Sequence, residues 1–188
     1  KAGFESVKTM LDNRSYVIRA DVIQKSIGGL NGRFGLWTKI RDFKGTGEEV
    51  IAPSTEQMSA AVFVYEELDL GRFQMQFGGR LERNDYTVGK RSEHEEHGHE
   101  EHYEEIHGYE EKSPTVRNRH FFGWSASSGF RAELTSTNAF LANFTRSHRV
   151  PSLEELYNFG AHIGNLTYEI GNPNLHPEST IGLDLSFR

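Results

Sequence analysis

The residues best placed to do chemistry are five histidines crowded into 14 positions: His94, His97, His99, His102 and His107. Their spacings are 3, 2, 3 and 5, and Glu95, Glu96, Glu100, Glu101, Glu104 and Glu105 stand between them. Imidazole nitrogen is a ligand for zinc, copper and nickel, and the carboxylates add hard oxygen donors that zinc also accepts. The whole stretch, residues 93–112, carries nine acidic residues and no apolar residue recurring at a period of 2 or 3.6. Such a composition buries too little surface to offset its ordering entropy, so it predicts a mobile, solvated loop. A loop of this kind gathers three or four ligands at a time, giving several overlapping sites of moderate affinity. Metal should leave as the pH falls through the free imidazole value of about 6.5. The competing reading is a plain acidic surface loop, and the density of histidine weighs against it.

The remaining composition bounds what can hold such a loop. A chain of 188 residues suits one domain, and 12% aromatic residues with 19 glycines point to strands and turns. A formal charge of −6, with no basic run longer than Lys90-Arg91, argues against nucleic acid as a partner. Cysteine is absent, which excludes a disulfide framework and thiolate metal sites. No run approaches 18 consecutive apolar residues, which excludes a membrane-spanning helix but not a membrane β-barrel. Without an initiator Met or signal peptide, and ending inside an alternating run, the chain reads as a piece of a longer polypeptide. No enzyme is expected, and no catalytic residue or catalytic cofactor. There is no Gly-x-Ser-x-Gly and no phosphate-binding glycine loop, and His94-Glu95-Glu96-His97 lacks the His-Glu-x-x-His spacing.

Seven alternating runs predict strands around the loop. Tyr16, Ile18, Ala20 and Val22 share one face of residues 16–24, and Phe34, Leu36 and Ile40 one face of residues 32–42, where Trp37 interrupts the polar side. The third run, 57–70, is apolar on both sides until Glu66. Residues 72–84 set Phe73, Met75, Phe77 and Leu81 against Gln74, Gln76, Arg80 and Glu82. The fifth run, 119–134, the sixth, around Phe140, Ala142 and Phe144, and the last, around Ile181, Leu183, Leu185 and Phe187, alternate likewise. Connections are short after runs one, three and five and long after two, four and six. In an antiparallel meander this puts every long loop, 43–56, 85–118 and 149–177, on one edge, the asymmetry of transmembrane β-barrels. The last of these loops holds one short helix candidate, residues 152–156, with Ser152 as N-cap and Glu155 at the capping-box position.

Two segments of that loop carry a resemblance. Arg149-Val150-Pro151-Ser152, running on to Glu155 and Leu156, is followed by Gly171-Asn172-Pro173-Asn174-Leu175-His176-Pro177-Glu178. The pair closely resembles the barrel signature of TonB-dependent outer-membrane receptors, with weaker similarity at Arg41-Asp42-Phe43, residues 61–67 and Gly78-Gly79-Arg80. The resemblance covers most of residues 15–188 and implies an all-β fold: an antiparallel meander forming part of a transmembrane β-barrel wall. Seven strands cannot close a bacterial barrel, so the resemblance implies a fragment of a barrel of about 22 strands. All of residues 1–188 would belong to the barrel domain, with the plug and remaining strands outside this sequence. An open, curved sheet, insoluble in isolation, is expected.

The same resemblance implies the cell outer membrane of a Gram-negative bacterium, with outer-membrane lipid and the TonB energy-transducing complex as partners, the latter through the absent plug. It turns the long-loop edge outward and makes the His/Glu loop look like that of the zinc-uptake branch, zinc or another divalent ion being the transported ligand. One alternative keeps the family but carries a siderophore, haem or other metal chelate, contacted by Arg and aromatic residues of the lumen face. Another is a metal-buffering surface module on a soluble β fold. His120, His148, His162 and His176 read as rim residues that could form a second relay site, and Glu66, Glu67, Asp69 and Asp184 as candidates for the lumen face. Asn13, Asn143 and Asn165 each begin an Asn-x-Ser/Thr pattern, without meaning in a bacterial outer-membrane protein.

Overall fold

The computed structural model describes residues 9–47, 50, 52–89, 115–162 and 167–188, the side chains of Thr9, Gly47, Ala161 and His162 excepted. In chain order the elements are β1 (Thr9–Ile27), β2 (Leu30–Gly47), β3 (Thr55–Asp69), β4 (Phe73–Val88), β5 (Arg119–Glu133), β6 (Ala139–Arg149), α1 (Leu153–Tyr157), β7 (Phe159–His162), β8 (Thr167–Ile170) and β9 (Glu178–Phe187). Among the described residues one seven-stranded antiparallel sheet runs β1-β2-β3-β4-β5-β6-β9, and β7 and β8 form a separate hairpin. The fold is thus nearly all-β and a meander, as the alternation predicts.

Register sorts the side chains. Directly paired residues of an antiparallel sheet point the same way. The row Ala20–Leu36–Val62–Leu81–Trp124 therefore lies on one face, and the row Arg19–Trp37–Ala61–Glu82–Gly123 on the other. The first face is apolar through its middle: Ile18, Leu36, Leu81, Phe122 and Leu183 are all largely exposed. The second carries the polar residues and the short helix, and is called the inner face below. The third run, unreadable from its own sequence, is thereby settled: Met58, Ala60, Val62 and Val64 face outward, and Ser59, Ala61, Phe63 and Tyr65 inward.

Short turns close one edge. Gly28 and Gly29 join β1 to β2 with φ of 59° and 86°, the left-handed pair that a two-residue hairpin requires. Gly71, φ 78°, joins β3 to β4 and donates its N–H to the Asp69 carboxylate at 2.8 Å. Thr135 Oγ1 accepts from the Asn138 N–H at 3.0 Å between β5 and β6. The opposite edge carries the long connections.

The structure departs from the sequence reading mainly at that second edge. β1 begins at Thr9, β2 runs on to Gly47 and β4 to Val88, each beyond its expected end. The β1 and β2 extensions pair with each other and the β4 extension with β3 and β5, partners distant in sequence, and their own mixed, largely polar residues show too little alternation to mark them as strand. The 149–177 connection also holds the β7–β8 hairpin, whose four-residue strands are too short to show an alternation in sequence. Glu66 is also a correction: paired with Gly32 and Phe77, it stands on the outer, apolar face, with Oε2 buried and without a hydrogen-bond partner. Glu67, Asp69 and Asp184 do fall on the inner face.

Candidate functional site

The long-connection edge holds the core of the described structure, and its assembly starts from one serine. Ser152 Oγ accepts from the Glu155 N–H at 3.2 Å while the Glu155 carboxylate accepts from the Ser152 N–H at 2.7 Å, the reciprocal capping box that starts α1. Five residues make too short a helix to persist by itself, so it depends on what it buries. Leu153, Leu156 and Tyr157 are buried against Phe43, Ala52, Tyr86 and Phe121, with Val88, Val150 and Leu175 at the margin. Phe43, Tyr86 and Phe121 all hold inner-face positions near the ends of their strands. The helix therefore folds across the inner face. Burying side chains of this size stabilises by roughly 1.5–3 kcal/mol each.

Polar contacts fix the helix in place. The Tyr86 hydroxyl donates to the Pro151 carbonyl at 3.0 Å, and Arg41 reaches Glu154 at 3.1 Å. Arg149 binds Glu155 through two nitrogens, at 2.8 and 3.0 Å, and Glu178 at 3.1 Å, so one guanidinium joins the first signature segment to the second. Gly171 lies so close that a Cβ there would stand 2.6 Å from the Tyr157 nitrogen, and its N–H donates to the Asn158 carbonyl at 2.6 Å. The Arg149 hydrogen bond is the largest reason that the Glu155 carboxyl is held down to about 2, and the Ser152 N–H adds to it.

The same knot holds both stems of the connection that contains the histidines. On the β4 side, Val88 donates its N–H to Asn118 Oδ1 at 3.0 Å and Gly89 to the Ser54 carbonyl at 2.8 Å. On the β5 side, Arg117 donates to Asn174 Oδ1 at 2.6 Å, Arg119 to the Leu175 carbonyl at 2.8 Å, and the Tyr157 hydroxyl to the Arg117 carbonyl. The metal-ligand candidates themselves, His94, His97, His99, His102, His107, Glu95, Glu96, Glu100, Glu101, Glu104 and Glu105, lie outside the described residues.

The described side chains of the further histidines, His120, His148 and His176, form no common cluster. His120 pairs with Asp85 at an exposed, outward position. The His148 ring sits against Gly123, where a Cβ would collide with it, and its Nδ1 lies 3.2 Å from Ser125 Oγ. His176 is exposed within the second signature segment, and His162 is placed only by its backbone, opposite Thr167. Among the described residues no three His, Cys, Asp or Glu side chains are grouped so as to hold a metal. The second relay site, a possibility beside the plainer rim reading, is not formed by the described side chains, and that of His162 lies outside them.

Below the rim, the inner face shows what the strand pattern could not. Ser59 and Asn84, both buried, hydrogen-bond to each other, and Asn84 continues to Glu82 at 3.1 Å. Four guanidiniums stand over aromatic rings: Arg19 over Phe63 at 4.7 Å, Arg80 over Trp37 at 4.9 Å, Arg41 over Phe43 at 5.6 Å and Arg119 over Phe121 at 4.8 Å. Trp37 therefore interrupts the polar side of its strand for a reason: it is the platform for an arginine two strands away.

The family model for the TonB dependent receptor-like β-barrel matches residues 10–188. The chain belongs to that family. No curated protein matches it. Members of the TonB-dependent receptor family are outer-membrane transporters of Gram-negative bacteria, not enzymes, and work with TonB on a transported substrate. In that family the outer face of the barrel wall meets the bilayer, which favours the membrane reading of this apolar face over the soluble module.

Two outcomes follow from the rim. Leu156→Ala, at a fully buried position, should cost about 2–5 kcal/mol of local stability. Hydrogen exchange and proteolysis should quicken over residues 149–178, with the circular dichroism of the sheet unchanged. The Glu155 contribution has a pH window. Its folded value, about 2, lies below its ordinary 4.5, so its stabilisation is complete above 4.5 and vanishes as the pH falls through 2. Protection factors of α1 in Glu155→Gln should therefore fall short of the wild type at neutral pH and match it near pH 2.

Proposed function

We propose that this receptor takes up a divalent metal ion, zinc before others, and that residues 93–112 capture it above the barrel. The observation that supports this reading is where the connection begins and ends. Val88 and Arg119 both leave the sheet on the long-connection edge, beside the core that folds over the inner face. A stretch of five histidines and nine acidic residues attached there raises the local concentration of a weakly held ion at the mouth of the wall. Weak, overlapping sites suit such a role, because a captured ion must also be released. Energy would come through TonB and the plug.

The stacked arginines favour a second reading. A face on which Arg19, Arg80, Arg41 and Arg119 each lie on a ring offers planar, cationic and aromatic surface, which suits an anionic metal chelate better than a bare cation. Asp21, Glu82 and Glu154 already neutralise three of the four, and this keeps the chelate in second place.

Deletion of residues 93–111 in the full receptor separates the two. The zinc reading expects slower growth when zinc is limiting and loss of the calorimetric zinc signal, with the receptor still folded in the membrane. Unchanged zinc-limited growth would remove the loop from the account and leave the chelate.

A further inference from the structure

The outer face is not uniform. Ala20, Thr38 and Ala60 lie close together on β1, β2 and β3 and form the floor of a groove of about 540 Å³ whose lining is almost entirely apolar. Ile18 and Leu36 wall it on one side, Leu81 and Phe122 on the other, and all four are largely exposed. The Thr38 hydroxyl, the floor's one polar group, donates to the Ser59 carbonyl at 3.0 Å, so the floor offers no free donor. Small side chains in adjacent strands thus leave a trough of acyl-chain character in that surface.

A charge stands at one end of it. Arg83 lines the groove and pairs directly with Ala60 and Phe122 in the register. From Phe73, the first residue of β4, to Arg83 is ten residues. In a strand tilted by about 45° these rise roughly 24 Å, close to the apolar band about 25 Å tall of membrane barrels. Phe73 and Arg83 therefore mark its two boundaries, and Arg83 lies at the long-connection one. Asp85 binds the guanidinium through Nε and Nη2 at 2.9–3.1 Å, which holds it flat, while Nη1 has no partner among the described residues. Nearby, Arg146 lies 3.7 Å over the Trp124 ring, but its two Nη nitrogens already donate to the Trp124 carbonyl at 2.6 Å and to Ser179 Oγ at 3.0 Å. The apolar trough thus ends at one oriented, unshared donor at headgroup height, Nη1 of Arg83.

We propose that the groove and Arg83 form a site for one phosphate-bearing lipid, an acyl chain lying on Ala20, Thr38 and Ala60 and the phosphate on the free edge of Arg83. Asp85 offsets much of the net charge, so Arg83 would meet the phosphate as an oriented hydrogen-bond donor through Nη1, and the acyl chain supplies the contact that a free phosphate ion lacks. The site is independent of the transported cargo.

The test uses the full-length receptor in detergent, native mass spectrometry, and two probes with the same acyl chains: phosphatidylglycerol, and a diacylglycerol without phosphate. The wild type should retain one phosphatidylglycerol more tightly than the rest, and diacylglycerol far less. Ala60→Phe, which fills the trough and leaves the charge, and Arg83→Gln, which removes the charge and leaves the trough, should each weaken that retention about tenfold. An excess of inorganic phosphate should not displace the lipid. Identical phosphatidylglycerol titrations in all three proteins, equal retention of diacylglycerol, or displacement by inorganic phosphate would each overturn the proposal. Unchanged heat-modifiability on gels identifies variants that have kept the barrel.

Discussion

Every backbone N–H and C=O of a strand that faces hydrocarbon must find its partner on the next strand, because nothing else there can supply one. That constraint explains the long uninterrupted ladders of this sheet, such as the fourteen consecutive pairs from Leu30–Leu68 to Phe43–Thr55. It also makes a strict period of two unavoidable. Once the ladder is in register, each residue is committed to bilayer or lumen, and a slip of one would exchange the two faces. The outer row through Leu36, Val62, Leu81 and Trp124 and the inner row through Trp37 and Glu82 are one decision, taken seven strands wide.

At the long-connection edge the ladder ends and a different problem begins, since loop carbonyls and short helices must be satisfied locally. The signature segments solve it together. Ser152 and Glu155 cap a helix too short to stand alone, Arg149 ties it to Glu178 at the start of β9, and Gly171 permits the close approach of the β8 end to the helix. What reads in sequence as a family mark is, in space, a single knot that holds the rim over the inner face. The stems of the histidine-bearing connection are tied into it through Arg117, Arg119 and Asn118. The two ends of that connection and the wall below it are thereby mechanically joined.

Much of this was legible in the sequence. Seven strands, their order and short turns, the capping box at Ser152 and the outward residues of β4, β5, β6 and β9 all follow from periodicity and turn chemistry. What escaped did so for physical reasons. Residues 85–88 read as loop because Tyr86 is an inward aromatic whose partners, Leu156 and Phe121, are distant in sequence. Glu66 read as a lumen residue because a carboxylate is expected to avoid an apolar face; only the register with Gly32 shows where it lies. Trp37 looked like an irregularity until Arg80 stood over it. The proposed metal ligands are a reading of composition alone, for a set of histidines without periodicity suggests a chemistry but no geometry.

The account rests on the two faces having different solvents. The chain contains no cysteine, so spin labels can be set at single-cysteine positions along β4, residues 73–88, in the reconstituted receptor. Collision with oxygen, which dissolves in hydrocarbon, and with a water-soluble nickel chelate should alternate in opposite phase. Oxygen should be favoured at 73, 75, 77 and 81 and nickel at 74, 76, 80 and 82, with the phase holding up to Arg83. Equal nickel accessibility at both sets of positions would contradict the account, because no bilayer would then separate the two faces.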